Sequence, residues 1–142
     1  HFSDYDAIVI SDYNKGFLSI EDIKKISNVH SLTFLDTKKP LGDWSENITF
    51  IKINNNELNK AEKITDKIRK KLIVTLGIDG ASYNGKIYPV EITEVKDLSG
   101  AGDTFLAALC THYCKSKDVI ASIKFANECA TKVVQKRGVS TT

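Results

Sequence analysis

A repeated alternation limits what this chain can fold into. Short apolar runs occupy residues 7–10, 31–35, 48–53 and 71–76, separated by turn signals and helix-period stretches. Such short runs, rich in Ile, Val, Leu and Phe, suit strands buried on both faces. After the first run, Ser19 with Asp22 forms a helix-start signature, and Ile20, Ile23 and Ile26 form an apolar stripe. Pro40 and Gly42 mark a turn after the second run. A helix is expected from Asn55 or Asn56 after the third. Strands alternating with helices predict an α/β fold, with a mostly parallel sheet covered by helices.

The later half adds a hairpin and two helices. Asn84-Gly85 is the strongest two-residue hairpin signal, flanked by residues 81–83 and 86–90. A further strand over residues 92–95 is expected to lead to Asp97. Phe105, Leu109 and Tyr113 recur every four residues. Val119, Ile123, Ala126, Ala130 and Val133 give a second helix its apolar face. No repeat, linker or second domain is evident. In parallel sheets ligands sit beyond the carboxyl ends of the strands. The loops after residues 10, 36, 53, 76 and 95 are therefore where chemistry is expected.

Composition removes several function classes. The formal net charge is +2, too small to mark a nucleic-acid or membrane surface. No apolar run approaches the roughly 20 residues of a membrane span. No signal peptide is visible, and Cys110, Cys114 and Cys129 are expected as reduced thiols of a cytoplasmic protein. A metal site from Cys110, His112 and Cys114 is disfavoured, because the second residue on a helix points about 200° away from the first. His30 and His112 receive no role. Lys67, Arg69, Lys70 and Lys71 are expected in a solvated loop before the fourth strand. The chain opens at His1 and contains no methionine, so preceding sequence is expected.

The segment Asp97-Leu98-Ser99-Gly100-Ala101-Gly102-Asp103-Thr104-Phe105 lies between an expected strand and an amphipathic helix. Glycines allow close backbone approach, and a helix start offers N–H groups and a positive dipole end. Gly100, Ala101 and Gly102 can thus form an anion hole for a transferring phosphoryl group. A Walker A loop needs a lysine after its last glycine, and Asp103 stands there instead. A dinucleotide fingerprint needs a third glycine where Phe105 stands. In the remaining reading Asp103 itself is a base, taking the proton of a hydroxyl that attacks a γ-phosphate.

This segment resembles the C-terminal signature of the ribokinase, or phosphofructokinase-B, family, with Leu98 in place of the usual threonine. The resemblance implies a ribokinase-like three-layer fold and an ATP- and Mg2+-dependent carbohydrate kinase. Residues 1–142 would form the C-terminal part of one kinase domain, with the N-terminal half and lid absent and the fragment inactive alone. It implies Asp103 as catalytic base. Asn54-Asn55-Asn56-Glu57 resembles the family's Asn-x-x-Glu motif, with Ile53 replacing a common proline. There Asn54 and Glu57 would organise the phosphates, with Glu57 reaching magnesium through water. Thr75, Gly77 and Gly80 resemble a strand-end segment beside the nucleotide, and Asn127 matches a position bordering the adenine pocket.

A finer likeness lies at the front. Ser11-Asp12-Tyr13-Asn14-Lys15-Gly16 resembles a segment of heptose-7-phosphate kinases. Asp36-Thr37-Lys38 resembles their Asp-Pro-Lys, with Thr37 departing from proline, and residues 133–140 are similar to the end of that kinase domain. This implies Asp12, Lys15 and Lys38 as substrate residues. It also implies a sugar phosphate and ATP as ligands, within ADP-heptose and lipopolysaccharide precursor synthesis. A homodimer is the candidate assembly, with neither nucleic acid nor membrane as partner. Two alternatives stay open: a relative acting on fructose phosphate, ribose, a nucleoside or a vitamin precursor, and a non-catalytic nucleotide-binding module.

Overall fold

The structure is a computed structural model that describes residues 4–91 and 100–136. Six strands, β1 (Ile8–Asp12), β2 (Thr33–Thr37), β3 (Phe50–Asn54), β4 (Leu72–Thr75), β5 (Ala81–Tyr83) and β6 (Lys86–Tyr88), are hydrogen-bonded in that order. The helices are α1 (Ile20–Val29), α2 (Asn55–Asn59), α3 (Asp66–Arg69), α4 (Ala101–Ser116) and α5 (Val119–Lys136). The expected α/β class is observed, with β1, β2 and β3 parallel. By its contacts the chain divides into two compact units. The first is His1–Val74 with Tyr83–Gly85, and the second is Thr75–Ser82 with Lys86–Thr142.

In the first unit, strand burial follows strand position. β2 and β3 are buried nearly throughout, whereas β1, the first of the described strands, alternates and leaves Val9 44% exposed. The core gathers Ile23, Phe34, Leu35, Ile51 and Ile73, with the Phe34 and Phe50 rings 5.6 Å apart. Helix α1 starts at the expected capping box, Ser19 and Asp22 bonding reciprocally. Its buried positions are Ile23 and Ser27; Ile20, the first helical residue, is exposed.

The strands run further than their apolar letters do. β1 continues through Ser11 and Asp12, expected as loop, because Ser11 registers with Asp36 and Asp12 with Thr37. β2 likewise continues through Asp36 and Thr37. Its polar end is satisfied by side chains: Lys52 on β3, 5% exposed, donates to Asp36 Oδ2 at 3.1 Å. The basic run from Lys67 is not simply a solvated loop. Thr65 caps the short helix α3, and Lys71 donates to the Glu46 carbonyl at 2.6 Å. Burial lowers the Lys71 pKa.

In the second unit, α4 packs on α5; α4 buries Phe105, Leu106 and Leu109, and α5 buries Ile123, Ala126 and Val134. The expected hairpin joins β5 to β6; its turn, whose residues fall with the first unit, has both Asn84 and Gly85 at positive φ, 53° and 81°, as a primed turn demands. The strand expected over residues 92–95 lies outside the described residues. Among the described residues, no helix is long and apolar enough to cross a membrane.

Two stability predictions follow from this packing. A Cβ on Gly80, at φ 96°, would sit 2.1 Å from the Tyr88 carbonyl oxygen, whereas one on Gly77, at φ 63°, would meet nothing within 4 Å. In urea denaturation, Gly80→Ala is expected to lose roughly 2–5 kcal/mol and Gly77→Ala about 1 kcal/mol. Equal losses would contradict the close approach. Lys52→Met strands Asp36 as an unpaired carboxylate and should lose about 3–5 kcal/mol, most of it recovered in the Asp36→Leu/Lys52→Met double variant. A single variant of near wild-type stability would remove the pair from the account.

Candidate functional site

The polar residues of the first unit concentrate where β1, β2 and β3 end. Asp12, 6% exposed, closes β1. Its Oδ2 accepts from the Thr37 hydroxyl at 2.8 Å and from Lys39 Nζ at 3.0 Å, and its Oδ1 accepts from the Asn14 N–H at 3.0 Å. Burial alone would raise the Asp12 pKa, but these donors together hold it below the usual 3.8. Asp12 is thus a structural anion at a strand end, bonded to its own neighbours. Lys15, by contrast, is exposed. With Ser11, Asp12, Tyr13, Phe17 and Leu18 it lines a hollow of about 460 Å³.

The ends of β2 and β3 meet in a second cluster. Asn54 caps α2: its side chain accepts from the Glu57 N–H at 2.9 Å, and Glu57 Oε2 accepts from the Asn54 N–H at 2.6 Å. That reciprocal capping turns the Glu57 carboxylate back towards the strand end and leaves the residue 6% exposed. Lys38 Nζ then donates to Glu57 Oε1 at 2.5 Å. The hydrogen bond to Glu57 raises the Lys38 pKa above 10.5. The structure therefore brings together Lys38, Asn54 and Glu57, three residues expected at the site, with Glu57 bonded to both of the others.

Expected residues of the second unit fall into two groups. Thr75 ends β4, and a tight turn from Gly77 to Asp79 returns the chain, with the Leu76 N–H donating to the Gly80 carbonyl at 2.8 Å. Gly80 closes against the Tyr88 carbonyl, and the same carbonyl accepts from Asn127 Nδ2 at 3.0 Å. A lone helical Asn is usually solvated, yet Asn127 is 5% exposed. Gly80 and Asn127, far apart in sequence, thus converge on one backbone oxygen.

The other group opens α4. Gly100 is the N-cap, in the left-handed region at φ 79° and ψ −4°. Ala101, Gly102 and Asp103 form the first turn, and the Thr104 N–H returns to the Gly100 carbonyl at 3.0 Å. The first N–H groups of a helix have no acceptor within it, so Ala101 and Gly102 can offer theirs to an anion. Asp103 is exposed at the third helical position. Asp97, Leu98 and Ser99 lie outside the described residues.

Some chemistry escaped the sequence reading. Lys39, 8% exposed, has its ammonium on Asp12 and on Asn14 Oδ1, each at 3.0 Å. A lysine in a loop ordinarily reads as solvated; the only hint was a strand-end aspartate in need of donors. His30 and His112, given no role from the sequence, are both engaged. His30 contacts the Tyr5 carbonyl at 2.6 Å and accepts from the Leu32 N–H at 2.9 Å. His112 Nδ1 lies 2.9 Å from the Ser122 hydroxyl, and its ring stacks on Phe125. Cys110, half-buried and hydrogen-bonded to Cys114, has its pKa pushed up to about 12, by burial first and then by its neighbour.

Comparison with known proteins gives these clusters a family. A family model described as pfkB family carbohydrate kinase matches residues 20–142. The bifunctional protein HldE of a Nitratiruptor species is 34% identical, over 97% of this chain and 34% of its own length. HldE of Campylobacter curvus is 32% identical, over 99% of this chain and 35% of its own length. The chain therefore spans about a third of the length of these relatives.

Among solved structures, a Burkholderia thailandensis nucleoside kinase in complex with ADP-inosine superposes with a TM-score of 0.74 at 20% identity. That match covers 97% of this chain and 49% of the other. Arabidopsis thaliana ribokinase, complexed with ribose and ATP, gives 0.72 at 20% identity, over 95% and 51%. At such identities these two speak for the fold alone, which is ribokinase-like as expected. The family match, which covers most of the chain, goes further: this chain belongs to the pfkB family of carbohydrate kinases.

Proposed function

We propose that this chain carries the catalytic base and part of the nucleotide site of an ATP-dependent sugar kinase. The acceptor we favour is the anomeric hydroxyl of heptose 7-phosphate, giving heptose 1,7-bisphosphate. The carrying observation is the start of α4, where Gly100 at φ 79° turns the chain so that Asp103 stands exposed in the first turn of a 16-residue helix. In this reading Asp103 takes the proton of the acceptor hydroxyl as its oxygen bonds to the γ-phosphorus and the bond to ADP breaks. The backbone of Gly100, Ala101 and Gly102 stabilises the charge on the transferring group. Thr75, Gly77, Gly80 and Asn127 border the nucleotide.

In the first unit, Lys15 and Lys38 are the acceptor's cationic contacts. Asp12 serves the acceptor by shaping the loop that bears Lys15. Glu57 is a buried carboxylate at the strand end, and one such oxygen donor suits magnesium held through water, since that ion keeps several waters and takes few protein carboxylates. When bound, the ion would neutralise charge on the phosphates. The heptose preference is supported by the likeness of Ser11–Gly16 to heptose-7-phosphate kinases.

Two measurements on the full-length protein test this reading. Asp103→Asn should cut kcat by roughly 10²–10⁴-fold while ATP affinity by calorimetry stays within about two-fold. Near-normal turnover would remove Asp103 as the base, and preferential turnover of a hexose or nucleoside by the unmodified protein would replace heptose by another acceptor. Glu57→Gln should raise the magnesium concentration for half-maximal turnover by roughly 10–100-fold. An unchanged magnesium dependence would take Glu57 out of the metal's surroundings.

A further inference from the structure

Lys39 takes no part in the reaction just described, yet its placement calls for an explanation. Burying an ammonium is unfavourable unless it is paired and hydrogen-bonded. Lys38, its neighbour, keeps 45% of its side chain exposed, while that of Lys39 is 9% exposed. The chain has turned this second lysine inward, back across 25 positions, onto the loop that follows β1.

We infer that Lys39 is a positioning residue for the acceptor: it holds the loop after β1 in the one shape that presents Lys15 and Tyr13 to a sugar phosphate. The inference rests on the kinase reading above. Asn14 is the pivot. It adopts φ 58°, a left-handed conformation that asparagine tolerates better than most residues. It is pinned at two points, its N–H donating to Asp12 Oδ1 and its side-chain oxygen accepting from Lys39 Nζ, both at 3.0 Å. Asn14 lies between Tyr13 and Lys15, both lining the hollow, so its backbone angle sets where each side chain emerges.

Thr37 completes the clamp. Its hydroxyl donates to Asp12 Oδ2 at 2.8 Å and accepts from the Lys39 N–H at 3.0 Å. Where heptose-7-phosphate kinases have proline in this motif, the chain has a hydroxyl that ties the loop after β2 to the end of β1. A lysine carried on a wandering loop gives up binding free energy to ordering; one on a clamped loop does not. The exposed faces of Tyr13 and Phe17 complete a hollow suited to a polar ring bearing an anionic group.

The test compares Lys39→Met with the unmodified full-length protein on heptose 7-phosphate. The expected result is a KM for the sugar phosphate raised about ten-fold, with kcat and the KM for ATP within about two-fold. Amide hydrogen exchange over residues 11–16 should quicken in the same variant. Asn14→Gly permits the same φ but removes the loop's own acceptor for Lys39, leaving Asp12 as its partner, and should shift the KM for the sugar phosphate in the same direction. That keeps the test open if Lys39→Met fails to fold. Faster exchange with an unchanged acceptor KM would overturn the inference, leaving a purely structural clamp, as would acceptor and ATP KM rising together. A protein that neither turns over nor binds any sugar phosphate sinks the kinase reading and this inference with it. An active protein indifferent to Lys39 sinks only the inference.

Discussion

A carboxylate withdrawn from water organises the strand ends of the first unit. Asp12 is buried at the last position of β1, where leaving a charge unpaired would cost several kcal/mol. Its donors come from three places: the Asn14 backbone in its own loop, the Thr37 hydroxyl at the end of β2, and the Lys39 ammonium beyond it. Satisfying one anion therefore sets the register of the β1–β2 pair, the turn of the loop after β1 and the course of the chain after β2. The Lys38 N–H, donating to the Asp12 carbonyl at 3.0 Å, adds a backbone tie at the same point.

Asp36, one strand over, shows what decides the matter. It too is paired with a buried lysine, Lys52, yet its pKa is raised where that of Asp12 is lowered. Burial dominates at Asp36, and the charge and hydrogen bond of Lys52 only partly oppose it. The difference lies in the deeper burial of Asp36, the nearby Glu57 charge and the count of donors. Asp12 has three, spread over both oxygens; Asp36 has one on Oδ2, and its Oδ1 is buried without a partner. A lysine nearby is not enough to keep a buried carboxylate comfortable; both oxygens must be served. Nearby Glu57 resembles Asp12 in this respect, with Lys38 on one oxygen and the Asn54 N–H on the other.

Much of the architecture was legible because local signals and tertiary needs agree. The apolar runs became β1 to β4, Ser19 with Asp22 capped α1, Asn84-Gly85 turned the hairpin, and Gly100 opened α4. What was misjudged shares one physical feature: a polar residue satisfied by a partner distant in sequence. Asp12 and Thr37 extend strands that their apolar letters would have ended. Lys39 and Lys52 are buried lysines, and nothing in their immediate neighbours marks them as such. Periodicity detects faces and glycines detect turns, but neither reveals where a long side chain will find its acceptor.

The site residues divide along the same line. The glycines of the second unit look alike as letters but do different work. Gly77 adopts positive φ in open space, Gly80 does so against a backbone oxygen, and Gly100 does so to start a helix. In the proposed mechanism only the last bears directly on the charge of the transferring group. Gly80 and Asn127 act on the same oxygen from opposite ends of the unit, so their first task is to fix the hairpin's exit against α5. A residue can be held to one identity by packing and still line a ligand's path, since a wall must be rigid before it can select. On that view the clamped elements of this chain, the Asp12 cluster in one unit and the Tyr88 carbonyl in the other, are the supports. On the kinase reading proposed above, Lys15 beside one and Asp103 at the α4 start in the other unit are the exposed residues that such supports would hold towards a substrate.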